Sequence, residues 1–185
     1  MEQEYAKELD SLDILEPNPK IDLWLAYKGI KPVSIVYELT SSKTIKNKLL
    51  DWCKKVGLYI EKNADTANYV VGKNELLVKE VNESLLKTTE EAIIRKCELL
   101  GYPVETALSA CRNFLPDNDK YPKGISISNN FFESKIPWWE YVRYIVREGH
   151  EVEDSLVAKK WHDTIEKDLP KTHKLFIEDL RKNKS

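Results

Sequence analysis

Three histidines, His150, His162 and His173, are the only imidazoles in the chain. His162 has Glu166 one helical turn on, and His150 has Glu153 and Asp154 at similar spacing. Such i, i+4 pairs supply two metal ligands each, whereas a catalytic zinc needs three and a structural one four. On one continuous helix, His162 and His173 would lie about 20° apart around the axis but roughly 16 Å apart along it. Pro170 also breaks the helical phase between them. The spacing therefore predicts no metal centre, and these residues read as solvated charged faces.

Pro116-Asp117, followed by Glu133-Ser-Lys135, has the order of a magnesium-dependent nuclease or hydrolase site. Two carboxylates would hold Mg²⁺ while the lysine orients or activates water. This is the alternative functional reading, and Mg²⁺ enters only with it; otherwise no cofactor is expected. A weaker phosphate site is offered by Thr40, Ser41, Ser42 and Lys43, whose hydroxyls precede a helix start. The same hydroxyls serve as ordinary helix caps. No G-x-G-x-x-G, Walker or G-x-S-x-G pattern occurs, so dinucleotide, P-loop and α/β-hydrolase chemistry lack their motifs. Cys53, Cys97 and Cys111 contain no C-x-x-C pair and sit among apolar residues, as core thiols do.

The stretch Ile136 to Gly149 is the richest in aromatic residues. Trp138, Tyr141, Val142, Ile145 and Val146 follow i, i+3, i+4, i+7, i+8, the stripe of a buried helix face. On such a helix Trp139, Arg143 and Arg147 align on another face. Trp beside arginine, in a chain whose 29 cationic residues include only five arginines, is the composition of a binding hot spot. These three are the expected contact residues.

The elements that must carry these groups form a βαβ pattern. An amphipathic helix spans 1–15, and a second runs from Asn18 to about Lys28, ended by Gly29. Val33–Leu39 is an apolar, β-branched run suited to a central strand buried on both faces. A helix follows to Val56, then strands at Leu58–Ile60 and Tyr69–Val71 on either side of a polar loop. Asn74 and Thr88 or Thr89 cap two further helices, the second ended by Gly101 and Pro103. Beyond 103 the pattern is mainly helical, with a short strand at Ile125–Ile127 and helices near 135–148, 152–169 and 172–182. The expected fold is α/β (mixed), a small mostly parallel sheet of about three to four strands with covering helices. The chain reads as one compact domain over 1–185, with an α/β front half to 103 and a helical half over 104–185.

Glu98-Leu-Leu-Gly-Tyr-Pro103 resembles a segment of an archaeal protein family of unknown function. In that family Leu-Gly-Tyr-Pro is followed by an acidic residue and paired cysteines. Here Val104, Glu105 and Thr106 follow, and the next thiol is Cys111. The resemblance covers six residues; within an archaeal or bacterial source it leans toward the archaeal, and it implies no activity.

The chain of 185 residues has 29 Lys and Arg against 31 Asp and Glu, a net charge of −2. That balance removes the sequence-independent drive toward nucleic acid or anionic membrane. No apolar run approaches a membrane span, and the acidic start Met1-Glu-Gln-Glu has no signal-peptide character. Three unpaired cysteines fit a reducing cytoplasm. The functional expectation is a cytoplasmic binding or assembly module, meeting a protein partner or a second copy of itself through Trp139, Arg143 and Arg147.

Overall fold

The computed structural model describes residues 1–12, 16–37, 43–115, 119–126, 136 and 138–182. In chain order it contains α1 (Glu2–Ser11), α2 (Asn18–Tyr27), β1 (Val33–Val36), α3 (Lys43–Lys55), β2 (Tyr59–Lys62), β3 (Tyr69–Gly72) and α4 (Glu75–Ser84). There follow α5 (Glu90–Leu99), α6 (Val104–Phe114), β4 (Gly124–Ser126), a 3-10 turn at Trp139–Tyr141, β5 (Ile145–Arg147), α7 (Glu151–Asp154), α8 (Leu156–Asp168) and α9 (Pro170–Lys182). Contacts divide the chain into two compact units. One comprises Met1–Glu83 with Asp163–Ser185, the other Ser84–His162. The division falls inside α8.

The first unit carries a three-stranded sheet in the order β1-β3-β2. Both neighbours of β3 are antiparallel to it, with Val33 and Tyr59 each opposite Gly72, and Val36 and Lys62 each opposite Tyr69. This corrects the mostly parallel sheet expected from the sequence. The physical reason is the loop between β2 and β3. Asn63–Asn68 is six residues long, and a parallel return needs a crossover of about a dozen or more. The loop closes on its own side chains: Asn63 Oδ1 accepts from the Asp65 N–H at 3.1 Å and Thr66 Oγ1 from the Asn68 N–H at 3.2 Å. β1 and β2 do run the same way, joined through α3, but β3 is inserted between them.

The central strand is therefore β3, buried along its whole length, and among the described residues β1 pairs on one side only, with Ile35 half-buried. α2 packs on β1 and β3, and α3 on β2. Trp24 of α2 and Leu49, Trp52 and Cys53 of α3 are 2% exposed or less. Two helix starts lie where the capping residues predict. Asn74 Oδ1 accepts from the Leu76 N–H at 2.9 Å, and Thr89 Oγ1 from the Ala92 N–H at 3.3 Å.

In the second unit α5 packs against α6 around Ile93, Cys97, Ala107, Cys111 and Tyr121. β4 and β5 pair antiparallel, with Ile125 opposite Val146. Gly124 permits the approach of β4 to α6, since a Cβ there would lie 2.9 Å from Ser109 Cβ. The helix expected over 135–148 is replaced by the 3-10 turn and β5. Residues 142, 144 and 146 are buried while 143, 145 and 147 are half-buried, a period of two that marks a strand. No helix among the described residues is long and apolar enough to cross a membrane.

Candidate metal centre

Three side chains that could hold a metal ion come together where two helices meet. α8 ends at Asp168 and α9 begins at Pro170, with Leu169 alone between them. Proline is suited to a first helical position, where its missing N–H costs nothing and its φ is already helical. The Leu169 N–H still bonds the Ile165 carbonyl at 2.8 Å, and the His173 N–H bonds the Leu169 carbonyl at 2.9 Å. Leu169 is fully buried. Each helix is thus complete up to a single residue, Leu169, where one helix ends and the next begins.

On α8, His162 and Glu166 are four residues apart and share a face. His173 lies in the first turn of α9. One donor atom from each of His162, Glu166 and His173 lies within 4.8 Å of the other two. The separation of roughly 16 Å expected for a continuous helix is therefore not found, because the helix is not continuous. All three donors belong to one covalently continuous stretch, 162–173, and the cluster is local to that stretch. Two ligands of a tetrahedral zinc, each about 2.0–2.1 Å from the ion, are about 3.3 Å apart. Closing from 4.8 Å takes small side-chain rotations of Glu166 and the imidazoles.

The two histidines are half-buried and Glu166 is exposed, so an ion held there would keep a side open to water. Each histidine has its own support. The His162 ring meets Tyr141 in a T-shaped pair, centroids 5.5 Å apart, and the adjoining Trp161 packs in an aromatic cluster with Tyr102 and Tyr144. Within the first unit Trp24 Nε1 donates to Asp168 at 3.0 Å, pinning the last residue of α8. α9 starts on a carboxylate from α1: Asp10 accepts the Lys171 N–H at 3.1 Å and the Thr172 N–H at 2.8 Å.

The other residues singled out by sequence fall as follows. Asp117, Glu133 and Lys135 lie outside the described residues, as do Thr40, Ser41 and Ser42, and the side chain of Lys43. Trp139, Arg143 and Arg147 are not on one helix. Trp139, in the 3-10 turn, is 9% exposed and packs with Ile136, Ile125 and Trp138. Arg143 is half-buried beyond the turn. Arg147, in β5, points its guanidinium at Asp154: Nη2 donates to Oδ1 at 2.7 Å and Nε to Oδ2 at 3.1 Å. Asp154 Oδ2 also accepts the backbone N–H of Arg147 at 2.8 Å. This ion pair, with the Asp154 side chain 2% exposed, holds the strand to the following helix. The shared helical face therefore needs correcting, since a strand and a 3-10 turn replace the helix that would have created it.

His150 pairs with Glu153 at 3.2 Å in the open, and Asp154 is committed to Arg147. The three cysteines are free and buried. Burial pushes the Cys53 thiol up to about 12 and the Cys97 thiol to about 11, the nearby Cys111 adding to the latter.

The cluster that sequence reasoning missed has the pattern His-x3-Glu-x6-His with proline inside the longer gap. Treating Pro170 as a bend, rather than as a break in phase, is the signal that finds it. Comparison with known proteins returns no matching family model, no matching curated protein and no matching solved structure.

Proposed function

We propose that the chain binds a divalent transition-metal ion of the zinc class through His162, Glu166 and His173. The observation that carries this reading is the convergence of the three donors to within 4.8 Å of one another. Two imidazoles and one carboxylate suit zinc and its first-row neighbours; magnesium and calcium prefer an all-oxygen shell. Three protein ligands leave a fourth position for water, the arrangement of reactive rather than closed zinc sites. The ion would also clip α8 to α9 across Leu169, so binding is coupled to the stability of that corner.

The test is calorimetric titration of chelator-treated protein with Zn²⁺, followed by thermal melting. One ion per chain is expected. At 100 times the dissociation constant it should stabilise the fold by about 2.7 kcal/mol, a rise of about 5–10 °C for a chain of this size. His162→Ala, His173→Ala and Glu166→Gln should each abolish or strongly weaken binding. Saturable binding that survives His173→Ala, or none below millimolar Zn²⁺, would overturn the reading.

A further inference from the structure

Leu169, the residue that precedes α9, has no side-chain oxygen, and Pro170 has no N–H. The first free amides of α9 are therefore those of Lys171 and Thr172, and a helix start leaves such donors without intrahelical partners. They are satisfied from far along the chain. Asp10 Oδ2 accepts from Lys171 N at 3.1 Å, and Asp10 Oδ1 accepts from Thr172 N at 2.8 Å and from Thr172 Oγ1 at 2.7 Å. Thr172 is fully buried. The Asp10 backbone carbonyl in turn accepts from Lys20 Nζ at 3.1 Å, tying the end of α1 to α2. A carboxylate is favoured at this point by the helix dipole as well as by the hydrogen bonds.

The residue after Thr172 is His173. We propose that Asp10 is the positioning residue of the metal centre: as the N-cap of α9 supplied by another helix, it fixes the phase and direction at which His173 meets His162 and Glu166. This rests on the metal-binding reading above and adds to it a group that never touches the ion. Three hydrogen bonds to one carboxylate leave the first turn of α9 little freedom to rotate, and His173 has the backbone direction of that turn. Without the carboxylate, Lys171 and Thr172 must turn to water, and the first turn frays at the histidine.

The experiment compares Zn²⁺ affinity for wild type, Asp10→Ala, Asp10→Asn and Val36→Ala, at a temperature where all four are folded by circular dichroism. Val36 is fully buried in β1 and its strand supplies no donor, so it controls for lost stability alone. Asp10→Ala should weaken Zn²⁺ by about 10- to 100-fold, the usual cost of losing a partner that orients a ligand. Asp10→Asn keeps one side-chain acceptor and should fall between Asp10→Ala and wild type; Val36→Ala should stay within about twofold of wild type. With Co²⁺ in place of zinc, Asp10→Ala should weaken and shift the visible absorption band as His173 is lost from the shell, while Val36→Ala should not.

If wild type binds no Zn²⁺, the metal reading fails and takes this inference with it. If wild type binds and Asp10→Ala binds equally well, the positioning role alone is wrong. Equal weakening in Val36→Ala would likewise overturn it, by showing a general effect of stability. Should Asp10→Ala not fold, the same judgement is read from Asp10→Asn.

Discussion

Removing Arg147 separates its role in the fold from the contact role that its composition suggests. Arg147→Ala leaves the Asp154 carboxylate, 2% exposed, with one remaining hydrogen bond among the described residues, from the residue 147 N–H at 2.8 Å. Breaking a buried pair from one side costs about 3–5 kcal/mol, because the surviving charge is stranded. Asp154→Ala is the milder change. The Arg147 side chain is 22% exposed and has Glu153 Oε2 at 3.7 Å as a second partner, so water and Glu153 take over part of the solvation. Losing hydrogen bonds to a charged group then costs about 1.5–3 kcal/mol. The readout is native-state hydrogen exchange over β5, which reports the second unit alone. At 1.4 kcal/mol per decade, protection should fall by about two to four orders of magnitude in Arg147→Ala and by about one to two in Asp154→Ala. The Asp154 contact raises the Arg147 pKa further above its already high value, so the pair stays ionised on that side and no pH-dependent loss is expected from the arginine. If both variants keep wild-type protection and instead change the association state of the protein, the assignment of Arg147 to the fold is refuted.

Two further outcomes test the core. Val70 is fully buried on the central strand while Ile35 is only half-buried, so Val70→Ala should cost about 1.5–3 kcal/mol and Ile35→Ala no more than about 1–2, although Ile35 loses the larger side chain. Urea midpoints in the reverse order would contradict the strand order β1-β3-β2. The thiols should be silent in the native state. With Cys53 fully buried and its thiol pushed up to about 12, the thiolate fraction at pH 8 is about 10⁻⁴. Labelling should therefore proceed only through unfolding, reaching three thiols per chain in denaturant; rapid native labelling at pH 8 would be the contrary result.

Local signals in the sequence located most elements. Asn74, Thr89, Gly57 and Gly101 mark helix boundaries because capping and left-handed backbone are decided by nearest neighbours. Strand pairing is not decided locally. The β-α-β order of β1, α3 and β2 is present, and its direction is as a parallel unit requires, yet β3 occupies the place between them. The six-residue length of Asn63–Asn68 was the available clue, since a hairpin fits it and a crossover does not. The stretch 142–147 failed for a different reason. Residues four apart share a face at a period of 3.6 and at a period of 2 alike, so Arg143 and Arg147 align in either state. Tyr144 decides it: the helical stripe leaves this residue out, whereas alternation buries it, and in the structure it is 8% exposed with its hydroxyl donating to the Asp154 carbonyl at 2.6 Å.

The His162, Glu166 and His173 cluster shows where spacing arguments stop. Along a straight helix the separation of two residues follows from their numbers alone, and by that rule His162 and His173 cannot meet. A proline at the first position of a new helix leaves the lengths of both arms unchanged but frees the angle between them. That angle is then set by what holds the second arm. Here the holding group is Asp10, more than 160 positions away in sequence and 2.7–3.1 Å away in space. No window of the sequence contains both the ligands and the residue that aims them. The pattern His-x3-Glu, proline, His is compatible with many bend angles and with only a few that bring three donors within 4.8 Å. The information that selects among them lies in α1, where a carboxylate with no ligand role supplies the cap that α9 lacks.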